Sequence, residues 1–471
     1  MTYHLMKPEK FGLIHSQQLK TKTNMCGVFG IFSEKPRNDL TEITVMALAS
    51  MQHRGQEAAG MAWKEGRMKF NKGHGLVNKV FNPIPRPSTH SIVGHVRYAT
   101  TGGIGFENEN VQPFIAHLKN DDLAVVHNGN FSNSDELRSQ LLDKGSILST
   151  TSDTEVILHF LAIEQDLGFS TALKKCMGLV RGAYNILMLK NDDLVAIRDP
   201  WGFRCLFWGK IDGCDVFASE DTAIYNAGGE VIRGLLPGEM IHISTDGVKT
   251  EQIIQPEQKR LCSFEYIYFS RPDCILDRHS VYHARKEVGR KLARQNPVEV
   301  DFVSGIPDSG LIMSLGYAEE SGLPHEMVIS RNRYVGRSFI EPTQEMRKIA
   351  VKQKLAPTRS LIQNKSILLI DDSLVRGTTT KQIVTMLKDA GAKEVHLRIG
   401  SPPVRYPCFY GIDTPKRKDL IAANNDMESV RKYTGAKTLA YLDIEDLKES
   451  IGTDQLCMAC FNKNYLEGGN I

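Results

Sequence analysis

The segment KSILLIDDSLVRGTTTKQIVTMLKDAGAKEVHLRI, from Lys365 to Ile399, leaves little freedom of fold. Ile367 to Ile370 is a short unbroken apolar run, the pattern of a strand buried on both faces. Thr378 to Ala390 repeats apolar residues at helical spacing, Gly391 follows as a C-cap, and Val395 to Ile399 is a second apolar run. Strand, helix and strand in that order make a βαβ unit, whose crossover requires a parallel sheet. Asp371 and Asp372 then stand at the C-terminal end of the first strand, followed by a small-residue loop at a helix start. Open α/β sheets bind ligands there. Loop N–H groups and the helix dipole suit a phosphate, and paired carboxylates suit ribose hydroxyls or Mg²⁺, a hard cation that takes oxygen ligands. Residue chemistry alone leaves open a receiver-like or haloacid-type aspartate site, or a merely acidic turn.

The same rhythm of strand, glycine loop and helix occurs once before, in VDFVSGIPDSGLIMSLGYAEESG. The first half of the chain reads differently. CGVFGIF, SIVGHVRYAT, LAVVHNGN, YNILML, LVAIRD, CDVFAS and EMIHI are strands set between glycine and asparagine loops. TEITVMALASMQHRG and TSDTEVILHFLAIEQ are helical, the second opening on Ser, Asp and Thr cap candidates ahead of Glu155. These elements predict an α+β domain with antiparallel sheets at residues 26–255. The polar stretch KTEQIIQPEQKR, residues 249–260, is the expected linker to an α/β domain at 256–425, and a helical tail at 426–471 ends in LCMACFNKNY.

A length of 471 residues suits two cores, and 41% hydrophobic with 24% charged residues is the balance of a soluble globular protein. The net charge of +3 has no basic stripe behind it, which argues against a nucleic-acid partner, and no apolar run is long enough to span a membrane. Residues 1–25 carry Lys7, Lys10, Lys20 and Lys22 without an apolar core, so they do not read as a secretory signal. Nine irregularly spaced cysteines, an odd count, point to a reducing, cytoplasmic setting without disulfides.

Cys26 opens a strand-like run and by itself reads as a small core hydrophobe. The polar glycine-bearing loops that follow it change that reading, because active-site groups live on such loops. Cys26-Gly27-Val28-Phe29-Gly30-Ile31, Gln52-His53-Arg54-Gly55, Gly94-His95-Val96-Arg97-Tyr98-Ala99-Thr100, His127-Asn128-Gly129-Asn130 and Arg198-Asp199-Pro200 together resemble the N-terminal-nucleophile glutaminase domain, a four-layer αββα fold. The resemblance implies that the 25-residue leader is removed before Cys26 and that the freed α-amine is the base for its own thiol. It further implies that Cys26 attacks the glutamine amide, Asn128 and the Gly129 N–H form the oxyanion hole, Arg97 holds the α-carboxylate and Asp153 the α-ammonium. An α-amine titrates near about 8 and a lysine near about 10.4, so only the former is substantially neutral at cellular pH.

The run from Ile367 to Thr380 resembles the type I phosphoribosyltransferase signature. By that resemblance, Asp371, Asp372, Ser373, Val375, Arg376, Gly377, Thr378 and Thr379 bind phosphoribosyl pyrophosphate. A second loop, with Pro307, Asp308, Ser309 and Gly310, cradles its pyrophosphate, and Ser309, Asp371 and Asp372 place Mg²⁺. Residues Arg331 to Phe339, with Arg337 contacting substrate, form a lid, and Tyr98, Tyr266, Tyr334 and Arg337 are candidate walls of an ammonia path. A glutaminase ahead of such a domain resembles the amidophosphoribosyltransferase family. That implies ammonia taken from glutamine, displacement of pyrophosphate to give 5-phosphoribosylamine in the first committed step of purine synthesis, feedback by purine nucleotides, and a homotetramer. A glucosamine-phosphate synthase would need isomerase modules in place of IDDSLVRGTTT. The remaining alternative is a catalytically inactive regulatory protein that binds phosphoribosyl pyrophosphate.

Cys457 and Cys460 form a C-x-x-C pair that is ambiguous alone. With Cys262 and Cys408 they resemble the ligands of the iron–sulfur subgroup of this family, which implies a structural 4Fe–4S cluster; four thiolates suit tetrahedral zinc equally, and spacing does not choose. Cys176, Cys205, Cys214 and Cys274 match no motif and read as ordinary thiols.

Overall fold

The computed structural model describes residues 26–98, 108–332, 334, 354–414 and 416–466. Its first half packs two antiparallel sheets face to face. The seven-stranded sheet runs, edge to edge, Glu230–Gly234, Phe207–Ile211, Cys214–Ala218, Gly27–Arg37, Thr89–Arg97, Ala58–Glu65 and Arg67–His74. The six-stranded sheet runs Gly247–Gln252, Glu239–Ser244, Asp193–Arg198, Gly182–Lys190, Asp122–Phe131 and Phe114–His117. Alternation sorts the side chains of each strand: Val28, Phe32, Val93, Ala124, Val126 and Leu187 fill the space between the sheets. On the outer faces, Leu40–Ser50 covers the first sheet, and Ser134–Asp143, Glu155–Ile163 and Phe169–Leu179 cover the second. The layering is αββα, as the resemblance implied.

The second half is a parallel sheet in the order Phe302–Gly305, Ser366–Asp371, Glu394–Ile399 and Leu439–Tyr441. Helices Ser309–Ser321 and Thr378–Asp389 follow the first two strands, which is the α/β architecture expected. Gly391 lies one residue past the C-cap Ala390, with a positive φ of 100°. The tail is helical at Met427–Thr434 and Ile444–Ile451, and between them it also supplies the edge strand Leu439–Tyr441.

Two local expectations differ. Lys249–Gln252 belongs to a strand, not to the connecting segment, because Gly247–Gln252 is an exposed sheet edge and an edge strand is polar. Thr154 does not cap Glu155–Ile163; its φ and ψ are helical, and its hydroxyl is engaged inside the molecule. None of the helices described is long and apolar enough to cross a membrane.

Candidate active sites

Cys26 is buried at the start of the central strand of the first sheet. Its backbone N–H donates to Asn128 Oδ1 at 3.2 Å, across from the strand of the second sheet. Asn128 is held in turn by Nδ2 donating to Ser219 Oγ at 3.2 Å, and Ser219 Oγ also accepts from Val28 N at 3.0 Å. Burial pushes the Cys26 thiol up to about 11, against a backbone hydrogen bond at Tyr98 and the charges of Arg97 and Arg204; Asp153 adds to the rise. Arg97 and Asp153 therefore both sit within electrostatic reach of the sulfur. Asp153 Oδ2 accepts from Phe131 N at 2.9 Å, which ties it to the strand that carries Asn128 and Gly129. Gly129 is required by close approach, since a Cβ there would lie 2.0 Å from the Ala183 carbonyl oxygen. Gly55 is required likewise: a Cβ would lie 2.5 Å from Arg97 N.

Arg54, which has no role assigned from its motif, is the centre of this site's support. Its guanidinium is buried and donates from Nε to the Cys26 carbonyl at 3.0 Å. Nη1 donates to Glu220 at 2.6 Å, and Nη2 to Glu265 at 2.9 Å. Arg204 donates to the same Glu265 at 3.0 Å and to the Tyr410 carbonyl at 2.6 Å. Glu265 opens the π-helical turn Glu265–Phe269, and the Phe269 ring lies 4.5 Å beneath the Arg54 guanidinium. π-Turns of this kind are rare and occur often at functional sites.

At the head of the parallel sheet, Asp371 and Asp372 are both buried. Thr380 Oγ1 donates to Asp371 at 3.1 Å and Ser373 Oγ to Asp372 at 2.6 Å; the Ser309 hydroxyl also donates to Asp372. The loops of Ser309 and the aspartates thus meet. Gly310 permits that approach, for a Cβ there would lie 2.5 Å from the Ile370 carbonyl oxygen. Burial raises both carboxyls above the ordinary range, and the Asp372 charge raises Asp371 further; Arg285 acts in the opposite direction on Asp372. Uncompensated carboxylate charge at this place suits a cation. Gly377, in the left-handed region at φ 73°, turns the loop into the helix, leaving Thr378 and Thr379 exposed and Val375 half-buried. Arg376 is exposed and lines a cavity with Lys418, Asn424 and Tyr433. Pro307 precedes Asp308, whose carboxylate pairs with Arg331.

Three of the four candidates for the path lie among the described residues. Tyr98 packs edge-on to Phe269 at 6.3 Å, whereas Tyr266 is a core residue whose hydroxyl donates to the Leu276 carbonyl at 2.7 Å. Tyr334 is fully exposed, and Arg337 lies outside the described residues, as do most of the lid and the leader.

The four expected ligand cysteines come from three segments that meet. Leu261–Cys262 pairs in parallel with Leu456–Cys457, and the Cys460 carbonyl accepts from Arg405 N and Tyr406 N at 3.0 Å. Each of these residues is half-buried, and burial followed by the charges of the neighbouring thiols pushes the Cys460 thiol well up; burial raises Cys262 to about 12. Among the described residues, however, no group of three or more His, Cys, Asp or Glu stands close enough to hold a metal ion.

Comparison with known proteins decides the family. Over 95% of its length the chain is 41% identical to the amidophosphoribosyltransferase of Bacillus subtilis, of which it covers 95%, and over 94% it is 44% identical to that of Archaeoglobus fulgidus, of which it covers 98%. The chain belongs to the amidophosphoribosyltransferase family. A glutamine amidotransferase domain model matches residues 100–226, which include Asn128, Gly129 and Asp153. Among solved structures, one described as the allosteric regulatory enzyme of purine biosynthesis superposes with a TM-score of 0.87 at 41% identity, covering 94% of this chain and 96% of that one. The B. subtilis glutamine phosphoribosylpyrophosphate amidotransferase, complexed with ADP and GMP, superposes at 0.86 and 41% identity, covering 94% and 97%.

Proposed function

We infer that the chain carries out glutamine-dependent amidotransfer at the first step of purine biosynthesis, making 5-phosphoribosylamine, glutamate and pyrophosphate. The observation that carries this is one chain with two sites. In one, a buried thiol stands among Asn128, Arg97 and Asp153; in the other, an acidic pair heads a phosphate-type loop. The decisive assay follows glutamate and pyrophosphate release together from glutamine and phosphoribosyl pyrophosphate. The reading fails if glutamate forms without any pyrophosphate, or if neither forms.

In this mechanism Cys26 Sγ attacks the glutamine amide carbon while the α-amine freed before it accepts the thiol proton. Asn128 Nδ2 and the Gly129 N–H stabilise the oxyanion. The amine's proton leaves with ammonia, and water then releases glutamate from the thioester. Arg97 and Asp153 orient the substrate's carboxylate and ammonium. At the second site, ammonia displaces pyrophosphate at the ribose C1. The 5′-phosphate is received by the loop from Ser373 to Thr379, with Arg376, and the pyrophosphate by the loop from Pro307 to Gly310 and by Arg337. Ser309, Asp371 and Asp372 would hold Mg²⁺, which is typically bound by one or two carboxylates together with substrate phosphates, and it would supply charge neutralisation to the leaving group. Asp372→Asn is expected to lower pyrophosphate release by about 10²-fold, an effect of the size seen when one charge-stabilising group is lost. Titrating Mg²⁺ should show a higher half-saturating concentration of the metal in the variant.

The four cysteines fit a 4Fe–4S cluster in donor type and number and in tying the transferase domain to the tail. The cluster would be structural. Cys457→Ser is expected to lose iron and sulfide in protein purified anaerobically; unchanged iron content would sink the assignment. We further place the leader at 1–25, the glutaminase at 26–255, the transferase at 256–425 and the tail at 426–471, in a cytoplasmic homotetramer inhibited by purine nucleotides.

A further inference from the structure

The glutaminase reading gives no task to His127, which is buried beside the oxyanion-hole residues on the strand Asp122–Phe131. Its position follows from strand alternation. His127 and Gly129 share a face opposite to that of Asn128, and the absence of a side chain at 129 makes room for the ring: a Cβ there would lie 2.7 Å from Nε2. The ring stacks on Phe131, with centroids 4.5 Å apart and planes 22° from parallel.

The hydrogen bonds around Thr154 fix where a proton must be. Thr154 Oγ1 is 3.2 Å from Asp153 Oδ1, an acceptor only, so the hydroxyl proton points to the carboxylate. The same oxygen then accepts from Gln112 Nε2 at 3.2 Å and from His127 Nδ1 at 3.0 Å, so Nδ1 carries a hydrogen. Nδ1 also lies 3.6 Å from Asp153 Oδ1. Gln112 closes the arrangement by accepting from His127 N at 2.6 Å. Burial opposes ionisation of Asp153, yet its carboxyl stays below the ordinary value, and His127 leads the groups that hold it there. Nε2 is buried and has no hydrogen-bond partner among the described residues. The ring stacks on Phe131, which belongs to the apolar cluster that also holds Val125, Val156 and Phe160. Packing alone would be served there by a hydrocarbon, without placing an unsatisfied nitrogen in the core.

We propose that His127 is a positioning residue for glutamine recognition: through Nδ1–H and the Thr154 hydroxyl it fixes the Asp153 carboxylate and ties it to the strand bearing Asn128 and Gly129. The proposal rests on the assignment of Asp153 to the substrate's ammonium. It separates two functions on one strand, since the face with Asn128 serves the reacting amide and the face with His127 serves the substrate's other end.

The test compares His127→Phe, which keeps the stack on Phe131 and removes the donor, with His127→Asn, whose amide N–H can stand in for Nδ1–H. Glutaminase kcat and KM are measured for each, with pyrophosphate release driven by ammonia as the check on folding. The expected result is a glutamine KM raised about 3- to 10-fold in the Phe variant, the range for losing a hydrogen bond to a neutral hydroxyl. Its kcat should change much less, and the Asn variant should recover most of the KM. Ammonia-driven release should be unaltered in both. A Phe variant with normal KM overturns the proposal. So does an Asn variant as poor as Phe, or a parallel loss of ammonia-driven release, which would mark a purely structural role. Failure of the glutaminase reading itself would show separately, as glutamate release by the unsubstituted chain that survives Cys26→Ala.

Discussion

Cys26→Ala is expected to remove glutamate release by at least about 10⁴-fold, the scale of losing a covalent nucleophile, while ammonia-driven release of pyrophosphate stays near that of the unsubstituted chain. The reason is the depth of the thiol. With burial pushing it up to about 11, only about one molecule in 10⁴ holds a thiolate at pH 7, so the sulfur depends on a base beside it. The nitrogen that can become such a base is that of Cys26 itself, held against Asn128 Oδ1 at 3.2 Å. In a chain cut before Cys26 that nitrogen is an amine; in an uncut chain it is a non-basic amide. Glutaminase activity should therefore be absent from protein that mass spectrometry shows to retain Met1. In cut protein it should rise with pH through about 8, where an α-amine loses its proton. Equal activity in cut and uncut protein would rule out the amine as base.

Arg54→Leu should have the largest effect on stability, about 3 to 5 kcal/mol, because it removes the guanidinium shared by two buried carboxylates, leaving Glu220 to His53 and Glu265 to Arg204. Denaturant unfolding monitored against the unsubstituted chain measures it, and a loss below about 1 kcal/mol would show that water or rearrangement replaces the guanidinium. The same cluster sets an acid limit. Burial works against the Glu220 charge, and His53 and Arg54 outweigh it, so its folded pKa lies below the ordinary glutamate value; Glu265 is likewise lowered, with Arg54 and Arg204 outweighing burial. Groups depressed in the folded state contribute stability above their unfolded pKa, near about 4.3, and lose it as pH falls further toward the folded values. Stability should thus hold from neutral pH to about 5 and decline steeply below it, and Arg54→Leu should flatten that decline.

How much of this was legible in the sequence varied with the distance over which each contact is made. The acidic pair, its loop and its helix are consecutive, so apolar runs and glycine placement were enough to position Asp371, Asp372 and Gly377. Motif resemblance supplied Cys26, Asn128, Arg97 and Asp153, which residue type alone would have left as a core thiol and loop polars. Arg54 was visible inside QHRG but had no assignable purpose, because its partners Glu220 and Glu265 lie 166 and 211 residues away. Thr154 looked like a helix cap by composition; the local rule failed because the hydroxyl is taken up by Asp153, to which it donates, and by His127 and Gln112, from which it accepts.

The sequence by itself determined the two fold types, their order and the chemistry offered at each site, because periodicity, turns and short loops act over a few residues. Tertiary structure alone decided what supports those sites: the buried arginine behind the nucleophile, the histidine behind Asp153 and the meeting of the three cysteine segments. Such groups must be brought together from separate strands and helices before burial strips their water. Only then do their charges and hydrogen bonds fix one another.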